Sequence, residues 1–297
     1  MKTTRILPLA AAALIGACGQ DADAPSADAG AAAPAEAVQV TGFSNPESVV
    51  YDPEGDRYLV GNVGGFGPDN DGFISAVNPD GTIAELRFIE GSDDAPLANA
   101  LGTGVHDGML YVADSPYVRV FDLESREPVA AHMVENAGFL NDLEVAADGT
   151  VYVSDMGSEE PESWRVIQIS PDGTVSVFAE GEALQRPNGL EIDNDGRIVL
   201  GAVAAPMLVM LSPDSGEVEQ TITLPDGGYD GVVILDDGYI VSDPFGPGIY
   251  RVGLDGESTL ISDTIEQPAS LGYDDTRNVV LVPQLQQNAI TLLPLGD

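Results

Sequence analysis

The chain has 297 residues, 43% of them hydrophobic, with 34 glycines and 21 prolines; that many helix breakers exclude a protein built of long helices and point to turn-rich β structure. Eleven basic residues stand against 49 acids, a balance that repels nucleic acid and anionic membrane surfaces. One cysteine excludes any disulfide within the chain.

In chain order, the first segment is MKTTRILPLAAAALIGACGQ, a short basic start, an apolar run from Ile6 to Ala17 and then Cys18. The run is too short to span a bilayer and reads as a signal peptide over 1–17. Ile15-Gly16-Ala17-Cys18 resembles a bacterial lipobox, which implies cleavage before Cys18 and lipidation of its thiol. The expectation is an exported lipoprotein anchored in the cell envelope, touching membrane only through that lipid. Residues 18–36, rich in Ala, Asp, Pro and Gly, offer nothing to bury and read as a flexible tether. Without the signal the chain keeps 9 arginines and no lysine against its 49 acids, a net charge of −40.

From residue 37 onward one pattern recurs. "FLNDLEVAADGTVYVSD" (139–155) reads as two strands joined by an Asp-Gly turn. It returns as "ESVVYDPEGDRYLVGN" from Glu47, "LGTGVHDGMLYVADS" from Leu101, "NGLEIDNDGRIVLGA" from Asn188, "DGVVILDDGYIVSD" from Asp230 and "ASLGYDDTRNVVLVP" from Ala269. Successive starts lie 54, 40, 47, 42 and 39 residues apart, the period of four-stranded propeller blades. Two further alternating segments follow each copy except the last, which has only NAITLLPL to add. "AVQVTGF" (37–43) supplies the missing strand. The sequence therefore predicts an all-β, six-bladed propeller over 37–297, its ring closed by the N-terminal strand so that no sheet edge stays open.

In a propeller the innermost strands line a central channel, so the repeat starts converge near one mouth. These are Glu47, Leu101, Asn141, Asn188, Asp230 and Ala269, followed by Ser48, Gly102, Asp142, Gly189, Gly231 and Ser270. Asn-Gly, Asn-Asp and Asp-Gly pairs are also ordinary turn formers. Four carboxylate or carboxamide oxygens at equivalent places, with no Lys or Arg among the twelve, favour a shared cation, because crowded carboxylates repel one another. Hard oxygen donors without Cys or His suit Ca²⁺, with Mg²⁺, Mn²⁺ or Zn²⁺ as alternatives.

The stretches "NPESVVYD", "FLNDLEVAADGTVYVSD", "RPNGLEI" and "YDGVVILDDGYIVSD" resemble the calcium-dependent six-bladed propellers of the gluconolactonase, senescence marker protein and luciferin-regenerating group, and more distantly paraoxonase and diisopropylfluorophosphatase. The resemblance runs over roughly residues 38–295. It implies Glu47, Asn141, Asn188 and Asp230 as metal ligands, Asp142 beside them holding a water or orienting a ligand, and Asp230 as the catalytic base or nucleophile. It also implies hydrolysis of a small ester, most plainly a lactone; a monomer is the expected state, though nothing in the sequence fixes it. The two histidines, His106 in a turn and His132 in an outer segment, fall away from the repeat starts, so a histidine-assisted mechanism of the paraoxonase kind is not expected.

Neither a G-x-S-x-G elbow, an H-E-x-x-H helix nor a phosphate-binding loop is present. "DNDG" at 69 and 193 reads as loop or turn, since neither copy has the glutamate of a calcium loop. Trp164 is either a packing residue or part of a pocket rim. The rival to a hydrolase is a non-catalytic propeller whose metal only locks the channel while another surface binds a partner.

Overall fold

The computed structural model of the chain describes residue 34, residues 36–246 and residues 248–296. Cys18 and the expected signal peptide lie outside the described residues. β1 (Val38–Thr41) comes first, followed by four strands of blade 1: β2 (Pro46–Asp52), β3 (Arg57–Asn62), β4 (Phe73–Val77) and β5 (Ile83–Glu90). Blade 2 is β6 (Thr103–His106), β7 (Met109–Asp114), β8 (Tyr117–Asp122) and β9 (Pro128–Met133). Blade 3 is β10 (Leu140–Val145), β11 (Val151–Asp155), β12 (Arg165–Ile169) and β13 (Val175–Glu180). β14 (Pro187–Ile192), β15 (Ile198–Ala202), β16 (Met207–Leu211) and β17 (Val218–Thr223) make blade 4. β18 (Val232–Leu235), β19 (Gly238–Asp243), β20 (Gly248–Gly253) and β21 (Ser258–Ser262) make blade 5. Blade 6 holds β22 (Gly272–Asp274), β23 (Val279–Gln284) and β24 (Ala289–Pro294).

Each blade is an antiparallel meander, and the sixth takes β1 as its outermost strand in the order β1-β24-β23-β22. Val38 faces Leu292 and Thr41 faces Ala289, so the chain's first and last strands close the ring as expected. The tight turns are chemically specified: Gly81, Gly149, Gly173 and Gly196 all have φ near +80°, a conformation open to glycine at little cost.

Hydrophobic side chains on adjacent blade faces pack into six layers. One joins blades 2 and 3 through Leu101, Leu143, Val153 and Ile167. Another seals the closure through Val40, Tyr58, Leu281 and Ile290. Outer strands such as β9 and β21 are largely exposed. Apolar burial therefore lies between blades, and the polar residues of the innermost strands are left to line the axis.

Trp164 is 7% exposed and its indole N–H donates to the Ser158 carbonyl at 2.9 Å, so it is a packing residue. His106 is half-buried, with Nε2 3.5 Å from Asp107, and His132 lies under Gly173; neither reaches the axis.

Candidate metal centre

The inner strands are braced to one another by hydrogen bonds at the repeat starts. The amide of Ser270 donates to the Glu47 carbonyl at 3.0 Å, and that of Gly102 to the Asn141 carbonyl at 2.7 Å. Ser48 Oγ donates to the Leu101 carbonyl, Ser154 Oγ to the Asn188 carbonyl at 2.6 Å and Ser242 Oγ to the Ala269 carbonyl at 2.9 Å. Between blades 4 and 5 the packing is closer still: a Cβ on Gly189 would stand 1.6 Å from the Asp230 carbonyl oxygen. Likewise a Cβ on Gly102 would meet Asp142, and one on Gly231 would meet Leu271. Glycine after the repeat start is thus required by close approach of the next blade.

Local irregularity aims the side chains. Register shifts occur between Pro46 and Ser48, Leu140 and Leu143, and Pro187 and Leu190, so Glu47, Asn141 and Asn188 each sit within a β-bulge. A bulge turns a side chain off the regular alternation, here toward the axis. Asp230 stands just before β18, with its amide bonded to the Ser242 carbonyl at 3.1 Å.

All four side chains are buried, at 4–7% exposure. Glu47 Oε2, Asn141 Oδ1, Asn188 Oδ1 and Asp230 Oδ1 each lack any hydrogen-bond partner. Buried polar atoms are almost always satisfied, so four orphaned acceptors at equivalent places in the ring call for a positive partner. They interact with one another. Burial first, then the charges of Asp230 and Asp142, hold the Glu47 carboxyl well above the usual range, opposed by the Asn141 amide. Burial, then Asp142, pushes Asp230 up to about 8, opposed by Asn188. The donor set fits a hard divalent cation. Among the described residues no three His, Cys, Asp or Glu form a group able to hold a metal; this set depends on two amide carbonyls.

Asp142 stands differently. Its Oδ2 accepts from the Leu190 amide at 3.0 Å and its Oδ1 from the Leu143 amide at 2.9 Å, tying blade 3 to blade 4. Burial pushes it up to about 6, against those two bonds and one from Ser270. With Ser270 it faces the inner end of a channel of about 1110 Å³ that opens on the opposite mouth near Asn194, Asp236 and Arg251.

Several residues escaped the sequence reading. Ser154 and Ser242, each the residue before the last in β11 and β19, brace the hub; the recurring "SD" in "VYVSD" and "YIVSD" was the available signal. Glu144 and Glu191, three residues after Asn141 and Asn188, both line the channel. Burial raises Glu144 to about 7; burial, then Glu144 and Asp142, holds Glu191 well above the usual carboxylate range. Both are only half-buried by surface area, so channel water softens these shifts.

Six four-stranded blades around a bulged, oxygen-lined hub define a six-bladed propeller with a polar axis. The family model for the SMP-30/gluconolactonase/LRE-like region matches residues 94–257, which include Asn141, Asn188 and Asp230, and the chain belongs to that family. Among solved structures, one solved as a candidate gluconolactonase is 20% identical, with a TM-score of 0.68, covering 88% of this chain and 93% of its own. A gluconolactonase from Xanthomonas campestris is 16% identical, with a TM-score of 0.67 and coverage of 88% and 89%. Virginiamycin B lyase from Staphylococcus aureus is 13% identical, with a TM-score of 0.61 and coverage of 88% and 99%. At these identities the likeness concerns the fold. A search of curated proteins finds no match.

Proposed function

We propose that the protein is a divalent-metal-dependent hydrolase of small esters, a lactonase of the gluconolactonase kind, exported and held in the cell envelope through Cys18. Family membership supports the reaction class. The observation that carries the reading is the set of four orphaned, buried oxygens on Glu47, Asn141, Asn188 and Asp230. These four would hold the cation, with Ca²⁺ the best match to their chemistry. When bound, the cation supplies the positive charge that polarises a substrate carbonyl.

The chain's own groups then have distinct tasks. Asp230, through its second oxygen, accepts a proton from the attacking water as the water oxygen bonds to the carbonyl carbon. The ring C–O bond breaks, and the departing alkoxide takes up that proton, leaving a hydroxy acid. Asp142 keeps the carboxylate ring in register by holding the Leu190 amide. That same bracing favours the second reading, a hub whose cation serves stability alone.

A panel of lactones and aryl esters, assayed with calcium and with chelator, separates the two. The hydrolase reading expects calcium-dependent turnover that Asn141→Ala and Asp230→Ala abolish while the circular dichroism spectrum stays native. Chelation that lowers the melting temperature, with no substrate turned over by the calcium-loaded protein, would overturn it.

A further inference from the structure

A cleft of about 490 Å³ lies between blades 5 and 6 and shares no lining residue with the axial channel. One wall is the loop that leaves β19, beginning two residues past Ser242; another ends at Gln267, two residues before Ala269. Ser242 accepts the Asp230 amide on its carbonyl and donates its hydroxyl to the Ala269 carbonyl, and two residues of chain reach at most about 7 Å. Both walls therefore rise from the rim of the hub. The volume falls within the range of small-molecule sites, roughly 300–1,000 Å³.

Phe245 stands on the first wall and is 75% exposed. Its amide donates to Oδ1 of the buried Asp243 at 3.0 Å, and its ring edge rests on Gly228, where a Cβ would come within 3.1 Å of Cδ2. The ring is thus fixed in place while most of it stays open. Large exposed aliphatic side chains such as Val129, Met133, Val177 and Leu260 lie on the outer strands. The two exposed aromatic ones among the described residues, Phe66 and Phe245, lie instead on loops of the hub face, and Phe245 is the one that lines this cleft.

The polar lining is Asp263, Glu266, Gln267, Gln286 and Gln287, with no Lys, Arg or His. Gln287 Nε2 donates to Glu266 Oε2 at 3.2 Å and ties those two together. Asp263, Gln267 and Gln286 make no side-chain hydrogen bond or ion pair among the described residues. Two carboxylates without a cation repel an anionic ligand. An ammonium, which has donors only, would leave the amide N–H groups idle. Hydroxyl groups both donate and accept, so they use carboxamides and carboxylates alike. An aromatic face, negative at its centre, receives C–H bonds made positive by adjacent oxygens. A neutral sugar ring meets all of these demands, with hydroxyls around its edge and polarised C–H bonds on its face. We propose that the cleft binds a neutral pyranose unit, stacked on Phe245 and hydrogen-bonded by Gln267 and Gln286, at a site separate from the metal hub. The unit is either a glycosyl substituent of the lactone handled at the hub, which alone rests on the hydrolase reading, or a separate saccharide.

The test titrates methyl glucoside and methyl galactoside into the full-length, calcium-loaded protein and reads binding by saturation-transfer NMR, without turnover. Wild type should bind at least one glycoside, with transfer strongest at its ring C–H protons. Phe245→Ala should weaken that binding about 10-fold, as expected for a lost stacking contact, and Phe245→Tyr should restore it. Gln267→Ala and Gln286→Ala should each weaken it about 3-fold to 10-fold. Melting curves check that each variant folds. In parallel, KM for gluconolactone and for an aldonolactone bearing a glucosyl substituent tells the two sources apart. With Phe245→Ala, a rise in the ratio of the second KM to the first assigns the sugar to the substrate; an unchanged ratio, with glycoside binding lost, assigns it to a separate saccharide. Equal glycoside affinity in wild type and Phe245→Ala, no binding of either glycoside, or binding of tetramethylammonium in their place overturns the proposal. Glycoside binding that depends on Phe245, in a protein that turns over no lactone, overturns the hydrolase reading and leaves the sugar site standing.

Discussion

Stripping the cation should make stability fall as pH rises. Asp230 is pushed from an ordinary value near 3.8 up to about 8 by burial and by Asp142. Below pH 4 the folded and unfolded chains both hold the proton, and no penalty arises. Between about 4 and 8 the folded state keeps a proton that the unfolded state has released, so rising pH favours unfolding; above 8 the penalty is complete. At about 1.4 kcal/mol per unit, the interval from pH 5 to pH 8 costs on the order of 4 kcal/mol at Asp230. Asp142, raised to about 6, adds to this in the lower part of the range. For a domain of this size each kcal/mol moves the melting temperature by about 2–4 °C, so the effect is roughly 10 °C. Surface carboxylates also titrate, but equally with or without cation. The difference between calcium and chelator at each pH therefore isolates the hub. Scanning calorimetry at pH 5 and pH 8 should show a gap about 10 °C wider at the higher pH. The same gap at both values would refute the reasoning.

Three further outcomes follow from packing and pairing. Gly189→Ala places a Cβ against the Asp230 carbonyl oxygen and should cost about 3 kcal/mol or more, read from the urea midpoint. Asp155→Ala strands the 14%-exposed Arg165 and the loop amides of Gly138, Phe139 and Gly157; denaturant unfolding should show a loss of about 3–5 kcal/mol. A chain truncated to begin at Gly42 lacks β1 and exposes the edge of β24. It should melt lower and scatter light at concentrations where the full chain stays clear; an unchanged melt would show that the ring does not depend on its closing strand.

The blades were legible because their determinants are local: alternation with period two, Asp-Gly turns, and a pair of strands that recurs at intervals of 39 to 54 residues. Glu47, Asn141, Asn188 and Asp230 could be placed at one mouth because strand order alone carries them there. The bracing was not legible. The recurring serine of "VYVSD" and "YIVSD" marks a position but not its partner, the Asn188 carbonyl of the next blade to which the Ser154 hydroxyl donates. Gly189 and Gly231 read as turn formers, whereas their role is to let a neighbouring backbone pass, a demand set by long-range packing. Glu144 and Glu191 look like the solvated face of a strand until the ring closes and that face becomes the channel wall.

The central claim is that four side chains distant in sequence share one ion. A crystal grown with calcium and measured at long wavelength locates the ion through its anomalous signal. The account predicts one peak at the hub, about 2.3–2.6 Å from Glu47 Oε2, Asn141 Oδ1, Asn188 Oδ1 and Asp230 Oδ1. A hub without a peak, or an ion bound by other residues while these oxygens point away, would contradict it.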